Sequence, residues 1–197
     1  MSSTGSPPCS MPKQPGLANV VLIGFGIVYP AAVFFLRGTV EPSLFIIVAL
    51  IVVGARLSLG RFDVGGWRPA LAITAGALVG LAMVDAAFAA RAYPVLMSLA
   101  AAGVFAVTLR HPPSLIERFA MAAGEAWSPA LRHYCRNVTL IWALWLVVNA
   151  IIAAYLALAQ DDAAWALWTG LLSYLVSGGL FAGEWLVRHS IADRQPR

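Results

Sequence analysis

Apolar runs of about 20 residues recur along the chain, and no other feature limits its fold as severely. The first, 17–36, reads LANVVLIGFGIVYPAAVFFL. As a helix it would rise about 30 Å, the thickness of a bilayer's hydrocarbon core. Further runs occupy 42–59, 69–88, 92–109, 138–159 and 163–187. Inside hydrocarbon every backbone N–H and C=O must be bonded by the chain itself, so such runs form helices. The implied fold class is all-α: a polytopic transmembrane helix bundle of about six spans. The polar stretch 1–16 reads as a disordered tail, 17–188 as one transmembrane domain, and 189–197 as a short basic tail. The run at 17–36 outlasts the apolar core of a signal peptide and is read as the first span.

Charge agrees with this reading. Only 11% of residues are charged, against about 25% in soluble domains, too few to coat a water-facing surface. The net charge of +4 comes from arginines scattered between apolar runs, without a basic domain of the kind that binds nucleic acid. Their distribution sets orientation by the positive-inside rule. Eleven basic residues fall in the first tail, the second loop, the fourth loop and the last tail; two, Arg37 and Arg91, fall on the other side with Glu41, Asp161 and Asp162. The split predicts a multi-pass protein of the bacterial inner membrane with both termini in the cytoplasm.

The one long loop, 110–137, holds HPPSLIERFAMAAGEAW. Ser114 and Glu117 have the spacing of a capping box just after two prolines. Ile116, Phe119, Ala120, Ala123 and Trp127 then share one face, away from Glu117, Arg118 and Glu125. This pattern predicts a short amphipathic cytoplasmic helix on the membrane surface, over 114–126. Ser128 and Pro129 offer the cap and first-turn proline of a new helix that runs through Arg132 and Arg136 into span five.

Two groups of polar residues are candidates for function. In span six, Thr169, Ser173, Ser177 and Glu184 fall within an arc of about 80° at 100° per residue. Polar groups in lipid turn toward protein or water, so the stripe faces the bundle. It either lines a ligand site or makes interhelical hydrogen bonds. Glu184 stands one turn before Arg188: the two form an interfacial anchor, or the carboxylate binds a cation or relays a proton. The second group is Arg110, Arg118, Arg132 and Arg136 around the long loop. Such a face attracts anionic headgroups or docks an acidic soluble protein. Asn149, in the middle of span five, calls for a hydroxyl or carbonyl on a neighbouring helix. The pairs Gly76/Gly80 and Gly179/Gly183 have the spacing of helix-packing motifs.

Cys9 and Cys135 belong to reduced, cytoplasmic segments, and no disulfide is expected. His133 and Cys135, two residues apart, point to different helical faces, so no metal site and no cofactor is expected. No nucleophile–base–orienter set or phosphate-binding glycine loop is legible, which argues against an enzyme.

The segments YPVL (93–96), LRHPPSLIERFA (109–120), LRHYCRNVTLIW (131–142) and WALWTGLLSYLVSGGLFAGEWLVR (165–188) resemble a family of uncharacterised bacterial polytopic membrane proteins. The likeness covers the C-terminal half. A remoter one, at the end of span six, is to intracellular septation protein A. Members of the first family stand beside genes for aryl-polyene or xanthomonadin-type synthesis, which employs ketosynthases, acyl carrier proteins and acyltransferases. The resemblance implies a non-catalytic accessory component of aryl-polyene or fatty-acyl lipid biosynthesis or export, partnered by the bilayer and by carrier or synthase proteins. The alternatives are a small lipid or solute transporter or flippase, and a membrane-embedded acyl-transfer enzyme. The family supplies no catalytic residues to carry over.

Overall fold

The computed structural model describes residues 28–29, 32–36, 39–59, 67–122, 124 and 128–192, without the side chains of 59 and 188–192. The tail 1–16 and most of the first run therefore lie outside the described residues. The described part is helical, with no strand. The helical residues 28–29 and 32–36 are here called α1. Then come α2 (Pro42–Leu59), α3 (Trp67–Ala82), α4 (Ala86–Arg110), α5 (Leu115–Ala122) and α6 (Pro129–Leu158). The last run is α7 (Asp162–Leu167), a π-helical turn (Trp168–Leu172) and α8 (Ser173–Ala192). Among the described residues, three helices are long and apolar enough to cross a membrane: Ala86–Arg110, Pro129–Leu158 and the continuous Asp162–Val187; α2 and α3 are apolar but shorter.

Helix ends reflect side-chain capping. The Ser128 hydroxyl accepts from Leu131 N at 3.1 Å with Pro129 in the first turn, where the sequence puts the start of α6. The break between α3 and α4 falls earlier than expected. Asp85, read as part of span three, instead caps α4 by accepting from Phe88 N at 3.0 Å. Arg91, read as a loop residue, consequently sits in the second turn of α4 and pairs with Asp162 at 3.2 Å.

Helix α4 packs against α2, α3 and α6 and forms the centre of the bundle. Its buried positions are mostly alanine: Ala89, Ala90, Ala92, Ala100 and Ala102. Helix α6 behaves likewise. Cys135, Thr139, Ala143, Ala150, Ala153 and Ala157 are buried and fall on one side of the helix. Its large apolar side chains, such as Leu144, Ile151 and Leu158, are exposed. Small residues inside and large apolar ones outside is the arrangement expected where lipid removes the hydrophobic incentive to bury bulk and packing depends on close approach.

The short helix α5 starts within the predicted window, but its faces differ from the expected ones. Glu117 is 5% exposed and Phe119 53% exposed. The reason is its docking. Three of its first N–H groups, which a helix cannot satisfy internally, are taken by side chains: Ser114 N by Glu117 Oε2 (3.1 Å), Leu115 N by Thr108 Oγ1 (3.1 Å) and Ile116 N by Thr139 Oγ1 (3.4 Å). Glu117 is thus drawn inward, and only half of the capping box forms, since the buried Ser114 Oγ has no partner among the described residues. Ala123, Glu125 and Trp127 lie outside the described residues.

Candidate functional site

Thr169, Ser173 and Ser177 come together on one wall of a cavity of about 220 Å³ inside the bundle. Each hydroxyl donates back along its own helix, to Trp165 O (2.7 Å), Thr169 O (3.5 Å) and Ser173 O (2.7 Å). Such back-bonding satisfies a hydroxyl proton in an apolar setting and leaves oxygen lone pairs for another donor. Ser177 uses one, accepting from Trp145 Nε1 at 2.9 Å.

The opposite walls carry residues that the sequence does not single out as site candidates. Tyr29 comes from α1, Arg56 from the last turn of α2, Tyr93 and Ser98 from α4, and Tyr174 from α8. Arg56 reads in sequence as one of the topology-setting charges; in the structure it is half-buried and lines the cavity. The signal that could have found it is its position three residues before the end of an apolar run, still inside the helix. Among the described residues, no aspartate or glutamate lines this cavity. Among the described residues, no hydrogen bond engages the Tyr93 or Tyr174 hydroxyl, although each ring faces the cavity. Among the described residues its wall thus brings together a guanidinium, phenols, hydroxyls and an amide, groups suited to a strongly hydrogen-bond-accepting head.

Asn149 meets the expectation for a mid-helix amide. Its Nδ2 donates to Ser98 Oγ at 3.0 Å, and its Oδ1 accepts from Trp168 Nε1 at 3.0 Å. The amide thereby ties α4, α6 and the π-helical turn together on the cavity wall.

Glu184 does not join the stripe. It lies two turns, about 10 Å, beyond Ser177, past the end of the cavity. It lines a separate groove between α6 and α8 with Tyr134, Asn137, Trp142, Gly179 and Gly183. Beyond Ser173 no described residue of α8 is buried, and Tyr134 Oη reaches Glu184 O at 3.4 Å across the groove. Arg188 is in α8, but its side chain lies outside the described residues. The glycine pairs also depart from their expected role. A Cβ at Gly76, Gly80, Gly179 or Gly183 would meet nothing within 4 Å, so no helix of this chain uses them for close approach among the described residues.

The four arginines of the long loop do gather at one end of the bundle, with half of them committed to the fold. Arg136 donates to Leu109 O at 2.6 Å and Arg118 Nε to Pro113 O at 2.9 Å. Arg132 leans toward Glu117 at 4.0 Å, and Arg110 is exposed. His133 is exposed beside them. The chain matches no family model, no curated protein and no solved structure.

Proposed function

We propose that this is a multi-pass protein of the bacterial inner membrane, with six spans and cytoplasmic termini, that holds the anionic head of a small amphiphile or solute inside its bundle. It would act without catalysing a reaction, as a carrier or transporter-like component of aryl-polyene or fatty-acyl-type lipid biosynthesis or export. The observation that carries this reading is Arg56 lining a polar cavity inside the bundle beside three tyrosines and Asn149. Ionisable residues within apolar helices face protein or water and commonly mark ligand pathways. The biosynthetic setting is supported by the resemblance of the C-terminal half to proteins found beside such synthase genes. The exposed large side chains of α6 and α8 support a lipid environment, and the charge split supports the orientation.

The second reading, docking of acidic carrier or synthase proteins on the arginine face, is favoured by the exposure of Arg110, Arg132 and Arg136 at one end of the bundle. One experiment separates the two: lipid or pigment output in cells, normalised to membrane protein level, for Arg56→Gln and for Arg110→Gln/Arg132→Gln. The carrier reading expects loss of output with the first and near-normal output with the second. The reverse pattern would transfer the function to the arginine face.

A further inference from the structure

Helix α6 is longer than a bilayer's hydrocarbon is thick. Its 30 residues rise about 45 Å, some 15 Å more than that core. The surplus lies at its first end. From Val138 to Leu158 the helix carries no charged residue, and this stretch alone rises about 30 Å. Residues 129–137 therefore stand among the headgroups and beyond them. A headgroup layer is about 5–8 Å deep on each side of the membrane. Along the axis, Arg136 stands about 3 Å past Val138 and Arg132 about 9 Å. Arg136 is thus level with the lipid phosphates, and Arg132 is at their outer edge, within reach of its long side chain.

Two further elements are held at this depth. Arg136 Nη1 donates to Leu109 O at 2.6 Å, which brings the end of α4, and with it Arg110, alongside. Helix α5 enters one turn lower. Leu115 N donates to Thr108 Oγ1 and Ile116 N to Thr139 Oγ1, so its first turn lies at the edge of the hydrocarbon. From there α5 exposes two large apolar side chains, Phe119 and Met121. Basic groups beside exposed apolar ones make up a surface suited to the membrane interface. The positive charge survives the contacts made within the fold. Arg118 and Arg136 donate to carbonyls, which are neutral and leave each guanidinium its charge. Arg110 is exposed. Glu117 is buried, 4.0 Å from Arg132. Glu184 stands on the other side of α6: Tyr134, whose hydroxyl meets the Glu184 carbonyl, is about 160° round the helix from Arg132 and Arg136. Four arginines against one carboxylate leave this corner strongly positive.

We propose that the corner where α4, α5 and α6 meet binds the headgroup of an anionic phospholipid through Arg110, Arg132 and Arg136, with Phe119 and Met121 set among the acyl chains beside it. Depth decides between this occupant and an acidic soluble protein. Arg136 and the end of α4 lie level with the lipid phosphates, below the reach of a protein in the aqueous phase. The inference rests on the membrane part of the reading above and on nothing in the cavity.

The test is displacement of a fluorescent phosphatidylglycerol from the detergent-purified full chain by unlabelled phosphatidylglycerol or by phosphatidylcholine. An arginine at the surface contributes about five-fold in affinity for an anionic headgroup. The parent should therefore prefer phosphatidylglycerol by about twenty-fold or more, and the preference should shrink as salt is added. Arg110→Gln should reduce it about five-fold, and Arg110→Lys should keep it. Arg110→Gln/Arg132→Gln should bring the two lipids within about five-fold of each other. Arg136 is left intact because it also holds the end of α4. Equal displacement by the two lipids, or an unchanged preference in both glutamine variants, would overturn the lipid site. Inorganic phosphate displacing the probe as well as phosphatidylglycerol does would overturn it too, in favour of a free anion. Equal lipids, together with an acidic carrier protein that binds the parent and not the double variant, would hand the corner to the docking reading. Carbonate extraction separates the levels of failure. A chain released from the membrane sinks the membrane reading itself, whereas a retained chain without lipid preference loses this site alone.

Discussion

Around α5, Glu117 fills its half of the expected capping box, and two buried threonines do what the sequence assigns to Ser114. The Ser114 hydroxyl caps nothing, so Ser114→Ala should change stability by less than about 0.5 kcal/mol, below the usual cost of losing a cap. Glu117→Ala should cost about 1–3 kcal/mol, since it strands the buried Ser114 N–H. Thermal unfolding in detergent distinguishes these, and equal losses would mean the serine caps the helix after all. At Asn149, replacement by Leu leaves the Trp168 indole and the Ser98 hydroxyl without their partner. The expected loss is about 1–2 kcal/mol, the upper part of the range for membrane hydrogen bonds, read in the same assay. Residue roles of this kind are only partly legible in the sequence. The need of Asn149 for a hydroxyl is evident from its place in an apolar run, whereas the use of Thr108 and Thr139 as caps depends on which helices meet, and no local pattern encodes that.

Among the elements, the last run contains the most consequential irregularity. The sequence reads 163–187 as one regular helix, and the structure interrupts it with the π-helical turn Trp168–Leu172. A π turn is in effect a one-residue insertion in an α-helix. Deleting Gly170 should restore a regular helix and rotate α8 by about 100°, carrying Ser173 and Ser177 off the cavity wall while the protein still inserts. Labelling of a Ser177→Cys reporter should then change from cavity-limited to lipid-exposed; an unaltered profile would deny the turn its positioning role. The glycine pairs give a simpler expectation. Since a Cβ at Gly80 meets nothing, Gly80→Ala should be neutral or stabilise by up to about 1 kcal/mol in unfolding measurements. Helix starts at serine–proline signals were legible because capping is local. The α3–α4 break was not, because Asp85 and Pro94 each read against it: an acid inside an apolar run and a proline inside a helix.

For the whole molecule, the helical architecture was legible because hydrocarbon-length apolar runs leave a backbone few alternatives. The cavity was legible from one side only. Thr169, Ser173 and Ser177 show a periodic polar stripe, but Tyr29, Arg56, Tyr93 and Tyr174 come from separate elements and reveal themselves only when these pack. Six spans with cytoplasmic termini can be checked by reporter fusions: position 120 and both ends should report cytoplasm, and position 161 the opposite face. A C-terminus on the outer face would break the topology. The central claim is that the bundle holds an anionic head at Arg56, and the most direct measurement is mass spectrometry of small molecules that co-purify with the protein extracted from its native membrane. The account predicts an anionic amphiphile or solute bound to the parent chain and lost from Arg56→Gln. The same complement of molecules on both proteins would contradict it.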